Sequence, residues 1–140
     1  MFLNYLNEKD IDQFINNGGG TTLLSYGIKS PEEGYDLIPK EHIRFFNSLE
    51  PYIALEDYYF VHAGFRPGVN IKEQKLVDML WIRNDFIDST YDFGKKVIFG
   101  HTPLDKPLIE KNKIGIDTGA VYGQKLTCLE LPTEKFYSVE

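Results

Sequence analysis

Lys96-Val97-Ile98-Phe99-Gly100-His101-Thr102-Pro103 decides the fold class. Val97 to Phe99 form a short, continuous apolar run, the pattern of a strand covered on both faces. The run stops at a glycine, and a histidine follows at once. The same arrangement occurs earlier, where Tyr58-Tyr59-Phe60-Val61 runs into His62-Ala63-Gly64. A buried strand that opens into a glycine-containing loop is the usual architecture of an open α/β sheet. Such sheets place binding groups just beyond the carboxyl ends of their strands.

Working outward, Tyr52-Ile53-Ala54-Leu55 precedes Tyr58 to Val61, with Glu56-Asp57 between them. This predicts a hairpin with an acidic tip. Ile114-Gly115-Ile116 predicts a further strand ending in Asp117-Thr118-Gly119. Leu126 to Leu131 and Phe136 to Val139 predict a closing antiparallel pair. Leu76 to Phe86 reads as a short helix or a turn of one. Upstream of Pro51 the spacing becomes helical. Met1, Phe2, Leu3 and Leu6 have near-helical spacing, as do Ile11, Phe14 and Ile15, and Asn16-Asn17-Gly18-Gly19-Gly20 predicts a stop. Thr21-Thr22 opens a short helix. Ser30-Pro31-Glu32-Glu33 and Ile38-Pro39-Lys40-Glu41 both resemble helix starts, the second leading to Leu49. The expected architecture is α/β or α+β, a single domain over 1–140 with residues 1–50 mostly helical and 51–140 mostly strands.

Composition narrows the function. The chain has 140 residues, 42% hydrophobic and 26% charged, which suits a globular domain with an ordinary core. With 15 basic against 21 acidic residues the net charge is −6, the opposite of a nucleic-acid footprint. No apolar run is long enough for a membrane span, and Met1-Phe2-Leu3-Asn4-Tyr5 does not read as a signal peptide. The one cysteine, Cys128, excludes an internal disulfide and a cysteine-rich zinc site. Its apolar strand context predicts that it packs inside. A reducing, cytoplasmic setting is the simplest expectation.

Five residues are candidates for chemistry. His62 and His101 lie 39 positions apart, so only the fold can bring them together. Neutral imidazole is a common ligand for zinc, iron and manganese, but a histidine after a strand is more often structural. His42, inside the apparent helix after Pro39, reads as a solvated control. Arg83 follows Leu80-Trp81-Ile82. Its planar fork suits phosphate, whereas a surface ion pair with Asp85 or Asp78 is the commoner fate. Asp117 could orient a metal-bound histidine or simply form a turn. Tyr122 completes the set, on a family resemblance alone.

Phe60-Val61-His62-Ala63-Gly64, Leu80-Trp81-Ile82-Arg83, Phe99-Gly100-His101-Thr102-Pro103 and Ile116-Asp117-Thr118-Gly119-Ala120-Val121 occur in this order. Together they resemble the calcineurin-like metallophosphoesterases, most closely the bacterial and phage serine/threonine protein phosphatase branch. Bacterial diadenosine tetraphosphatases are relatives in that group. The resemblance spans essentially the whole chain. It implies the C-terminal portion of a four-layer sandwich, with helices first and mixed sheets after. It implies that His62 and His101 ligate the same metal, that Arg83 grips the substrate phosphate and that Tyr122 lines the site. The cofactor implied is a divalent cation, manganese in the first place, with iron or zinc also compatible.

The family's three earlier motifs, Asp-x-His, Gly-Asp-x-x-Asp-Arg-Gly and Gly-Asn-His-Glu, are not in this chain. Met1 to Leu6 resembles the segment that comes directly after Gly-Asn-His-Glu in the family, so the ligands of a second metal lie outside the sequence. The expected function is metal-dependent phosphomonoester hydrolysis on phosphorylated protein. The alternatives are a diadenosine tetraphosphatase-like nucleotide hydrolase fragment and a non-catalytic binding module. The isolated chain is expected to bind metal weakly and to show little or no activity. Apolar faces and strand edges near Val61 and Phe99 are expected to be uncovered. They would favour self-association or pairing with a separate N-terminal half.

Overall fold

The computed structural model describes residues 1–32 and 34–140. The chain divides into two compact units, Met1–Leu49 and Glu50–Glu140.

The first unit is helical: α1 (Phe2–Leu6), α2 (Ile11–Phe14), α3 (Gly20–Ser25) and α4 (Lys40–Asn47). Tyr5, Phe14, Leu23, Ile28 and Ile38 form its buried core. The expected stop at Asn16–Gly20 is a kink instead. The helical path continues through Ile15–Gly19, broken at Asn17 and at Gly18, whose φ of 88° only glycine adopts without strain. Helix α3 then starts at once. The helix start expected at Ser30-Pro31-Glu32-Glu33 is a correction. Ser30 to Glu32 form a bend and turn, and Glu33 lies outside the described residues. Pro39, by contrast, precedes α4 as expected, with its fixed φ set for entry.

The second unit is a mixed α/β layer built on one five-stranded sheet. Its strands are β1 (Tyr52–Ala54), β2 (Tyr58–Val61), β3 (Lys96–Phe99), β4 (Leu108–Ile109) and β5 (Lys113–Gly115), in the order β1-β2-β3-β5-β4. The hairpin β1/β2 is antiparallel, β2/β3 and β3/β5 are parallel, and β4 closes antiparallel on β5. The two-residue strand β4 carries no sequence signal of its own; pairing with β5 creates it. A separate hairpin comes next, β6 (Leu126–Glu130) with β7 (Lys135–Val139).

Helices α5 (Leu76–Trp81) and α6 (Asn84–Ile87) replace the single helix expected over Leu76 to Phe86. The break falls at Ile82–Arg83, where the backbone turns extended before re-entering helix. Val61, Ala63, Phe65, Met79, Ile82, Phe86, Val97 and Phe99 make one core under the sheet.

Two expectations about exposure are overturned. Val61 and Phe99 are buried, because β2 and β3 are interior strands; the sheet edges are β1 and β4. Cys128 is exposed. Strand β6 half-buries Thr127 and Leu129, so the alternation of a strand puts Cys128 on the other face. Among the described residues no helix is long and apolar enough to cross a membrane.

Candidate metal centre

The parallel register sets the site. Strands β2 and β3 run side by side and end together, so the residues just past them become neighbours. His62 Nε2 and His101 Nδ1 are 3.0 Å apart, with ring centroids 4.8 Å apart. Gly100 N–H donates to the His62 carbonyl at 2.9 Å, tying the two loops directly.

The two loops hold their histidines differently. Beyond His62 the chain dives inward: Ala63, Gly64 and Phe65 are buried, and Ala63 N–H donates to the Met79 carbonyl at 2.9 Å. Gly64 has φ 142°, and a Cβ there would fall 2.3 Å from the Phe86 ring. His101 instead carries strain in its own backbone, with φ 67°. A non-glycine residue in that region costs on the order of 1–3 kcal/mol. The tight turn is closed by Thr102 N–H donating to the Gly100 carbonyl at 2.7 Å. Trp81 packs edge-on against the His101 ring with centroids 5.5 Å apart.

Partial desolvation pushes both imidazoles below the ordinary histidine value, although His62 is exposed and His101 half-buried. For His101, the neighbouring His62 and the positive charge of Arg83 add to the lowering. The Asp117 carboxylate opposes it at both rings. Neutral rings hold free lone pairs, the form in which histidine binds a cation.

Arg83 is exposed and enters no ion pair among the described residues. The surface pair with Asp85 or Asp78 that sequence reasoning weighed does not form. Those carboxylates belong to Arg66, which donates from Nη2 to Asp78 at 2.6 Å and from Nη1 to Asp85. Asp117 does form a turn: its carboxylate accepts from Gly119 N–H at 3.0 Å. It also sits close enough to bias both histidines, although no hydrogen bond joins it to either among the described residues. Tyr122 is 71% exposed in a single 3-10 turn, Ala120–Tyr122, and among the described residues it has no hydrogen bond or ring contact to the pair. His42 is on the exposed side of α4 with its Nδ1 2.9 Å from the Tyr26 hydroxyl.

Sequence reasoning missed Arg66, and it missed Trp81 as a wall of the His101 ring. The available signal for Arg66 was its place four residues after His62, with acidic residues spaced along the helices downstream.

The donor set fits one cation in part. Two nitrogens bound to one divalent ion at about 2.1 Å lie about 3.0–3.4 Å from each other, and the 3.0 Å hydrogen bond that joins the two rings already holds them at the short end of that range. His101 Nε2 is buried without a hydrogen-bond partner among the described residues. Among those residues, however, no group of three or more histidine, cysteine, aspartate and glutamate side chains could enclose an ion. The arrangement is a two-nitrogen edge that needs further donors.

No family model matches the chain. It is 28% identical, over an alignment 141 positions long, to the bis(5'-nucleosyl)-tetraphosphatase PrpE [asymmetrical] of Geobacillus thermodenitrificans, covering 89% of this chain and 57% of the relative. The protein of that name from Bacillus velezensis is 29% identical over an alignment 140 positions long, covering 89% and 56%. The chain thus spans rather more than half the length of the curated relatives it matches. A solved crystal structure described as a "putative diadenosine tetraphosphatase" superposes with a TM-score of 0.66 at 21% identity, covering 75% of this chain and 57% of that one. At that identity the likeness establishes the fold.

Proposed function

We propose that this chain supplies one part of a metal-dependent phosphoesterase site that hydrolyses a bis(5'-nucleosyl) polyphosphate. The observation that carries it is the His62 Nε2–His101 Nδ1 separation of 3.0 Å at the ends of two parallel strands, beside an arginine with no ion-pair partner among the described residues. The names of the relatives support the nucleotide alternative over the protein phosphatase reading that the motifs first suggested.

His62 and His101 would hold the cation. When bound, it supplies a water of lowered pKa and positive charge against the phosphate oxygens. Arg83 offers its free guanidinium to an anionic oxygen, by two parallel hydrogen bonds where the geometry allows. Asp117 adds a fixed negative charge that favours a cation at the pair. The remaining ligands come from the family motifs absent here, so the 140-residue chain by itself is expected to be weakly active or inactive.

The test supplies those motifs. This chain is joined to the portion of the Geobacillus thermodenitrificans relative that it does not match, and the fusion is assayed with manganese. Diadenosine tetraphosphate should be cleaved at least tenfold faster than a phosphoserine peptide. Faster peptide cleavage would restore the protein phosphatase reading. No cleavage of either by a folded fusion would leave the binding-module reading in its place.

A further inference from the structure

Arg66 belongs to none of the motifs that carry the candidate chemistry, yet its guanidinium makes three hydrogen bonds to two carboxylates. Its backbone is held on both sides by Gln74: Arg66 N–H donates to Gln74 Oε1 at 2.7 Å, and Gln74 Nε2 donates to the Arg66 carbonyl at 3.0 Å. The same amide also donates to the Val69 carbonyl at 2.9 Å, so the loop after β2 is closed on itself. From this anchored position the guanidinium reaches two helices. Nε and Nη2 both donate to one oxygen of Asp78 on α5, at 3.2 and 2.6 Å, and Nη1 donates to Asp85 on α6.

Asp78 and Asp85 flank the break at Ile82–Arg83. Asp85 is two residues beyond Arg83 in the chain. An exposed arginine between two carboxylates would ordinarily pair with one of them. Among the described residues it does not, and a second arginine holds both carboxylates.

We propose that Arg66 is a positioning residue: by occupying Asp78 and Asp85 together, it leaves the Arg83 guanidinium free to bind an anionic phosphate oxygen. This rests on the reading of Arg83 as the phosphate-gripping group. The role needs a guanidinium. A lysine ammonium is a point charge without the separated nitrogens that serve two carboxylates on different helices. A purely structural staple between α5 and α6 would predict that removing either carboxylate is as harmful as removing Arg66. The positioning role predicts the reverse, that neutralising the carboxylates makes Arg66 dispensable.

The chain has three arginines, Arg44, Arg66 and Arg83, so phenylglyoxal modification with subsequent peptide mapping reads each separately in the intact 140-residue chain. Exposed Arg44 serves as the internal reference. In the parent chain Arg83 should react at a rate similar to Arg44. In Arg66→Met it should react at least threefold more slowly, and in Arg66→Lys at an intermediate rate. In the triple variant Arg66→Met, Asp78→Asn, Asp85→Asn the parent rate should return. Circular dichroism checks the fold of each. If Arg66→Met does not fold, the lysine and triple variants decide alone. An Arg83 rate that is unchanged in the folded single variants, or that is not restored in the triple variant, overturns the proposal. Inorganic phosphate should protect Arg83 in the parent and triple variants. Failure of phosphate to protect the parent's Arg83 would count against the function assigned to Arg83, while the order of rates would still judge the role of Arg66.

Discussion

The loops after β2 and β3 present the same residue type and hold it by opposite means. The loop after β2 relies on packing: Ala63, Gly64 and Phe65 are buried, and the backbone of Gly64 lies against Phe86. The loop after β3 relies on conformation: Gly100 is only half-buried, and His101 itself adopts the left-handed region. The first loop is therefore set by the core and should fail when the core is disturbed. The second is set by a local turn, and its strain is sustained by the sheet that brings both strand ends together.

The largest expected effect comes from closing the space that the first loop needs. Gly64→Ala would place a methyl group 2.3 Å from the Phe86 ring at a φ of 142°. Overpacking and backbone strain together should cost about 3 kcal/mol or more. Urea denaturation monitored by tryptophan fluorescence measures this directly, because the chain's one tryptophan, Trp81, packs on His101. A loss below about 1 kcal/mol would mean that Phe86 moves aside freely and that the first loop is not packing-limited.

The next effect is on metal affinity, and here the loops should behave alike. His62→Ala and His101→Asn each remove one of two nitrogens from the same edge. Each should weaken manganese binding by the isolated chain at least tenfold, about 1.4 kcal/mol, as read by titration calorimetry. Asparagine is chosen at 101 because it tolerates the left-handed backbone. If one substitution abolished binding and the other left it intact, the two rings would not share an ion.

Much of this arrangement was legible in the sequence, and the failures share a cause. Val97 to Phe99 and Tyr58 to Val61 announced interior strands through unbroken apolar runs, and the two histidines lay directly beyond them. The hairpins β1/β2 and β6/β7 were legible from alternating apolar and turn residues. Strand β4 was not, because two residues hold no periodicity and its pairing is wholly tertiary. The Asn16–Gly20 kink was misread because glycine signals a departure from helix without saying whether the chain resumes it. The free state of Arg83 was hidden for the same reason. Local sequence offered Asp85 as its partner, and only the fold brought Arg66 from across the loop to claim that carboxylate.

A smaller effect concerns pH. Partial desolvation depresses both imidazoles in the folded, metal-free chain, so the unfolded chain binds more protons just below the ordinary histidine value, about 6.5. Stability therefore rises with pH in that window. The contribution is complete above about 6.5 and is lost as pH falls toward the depressed folded values. Urea midpoints between about pH 5 and 7 should fall on acidification, and the double variant His62→Ala, His101→Asn should flatten that slope. An equal slope in the variant would assign the acid sensitivity to the carboxylates instead.

The smallest effect is the sharpest test of the contrast between the loops. At Gly100 an added Cβ would meet only the Asp117 Cβ at 3.5 Å and the His62 carbonyl oxygen at 3.7 Å, both ordinary van der Waals distances. Alanine keeps the N–H that donates to His62, so the bond between the loops survives. Gly100→Ala should change stability by no more than about 0.5 kcal/mol, in contrast to the same change at Gly64. It should also leave manganese affinity within twofold of the parent. A severe loss of stability at Gly100 would show that the second loop depends on close packing as the first does. The strain at His101 would then be one symptom of that packing rather than the means by which the ring is held.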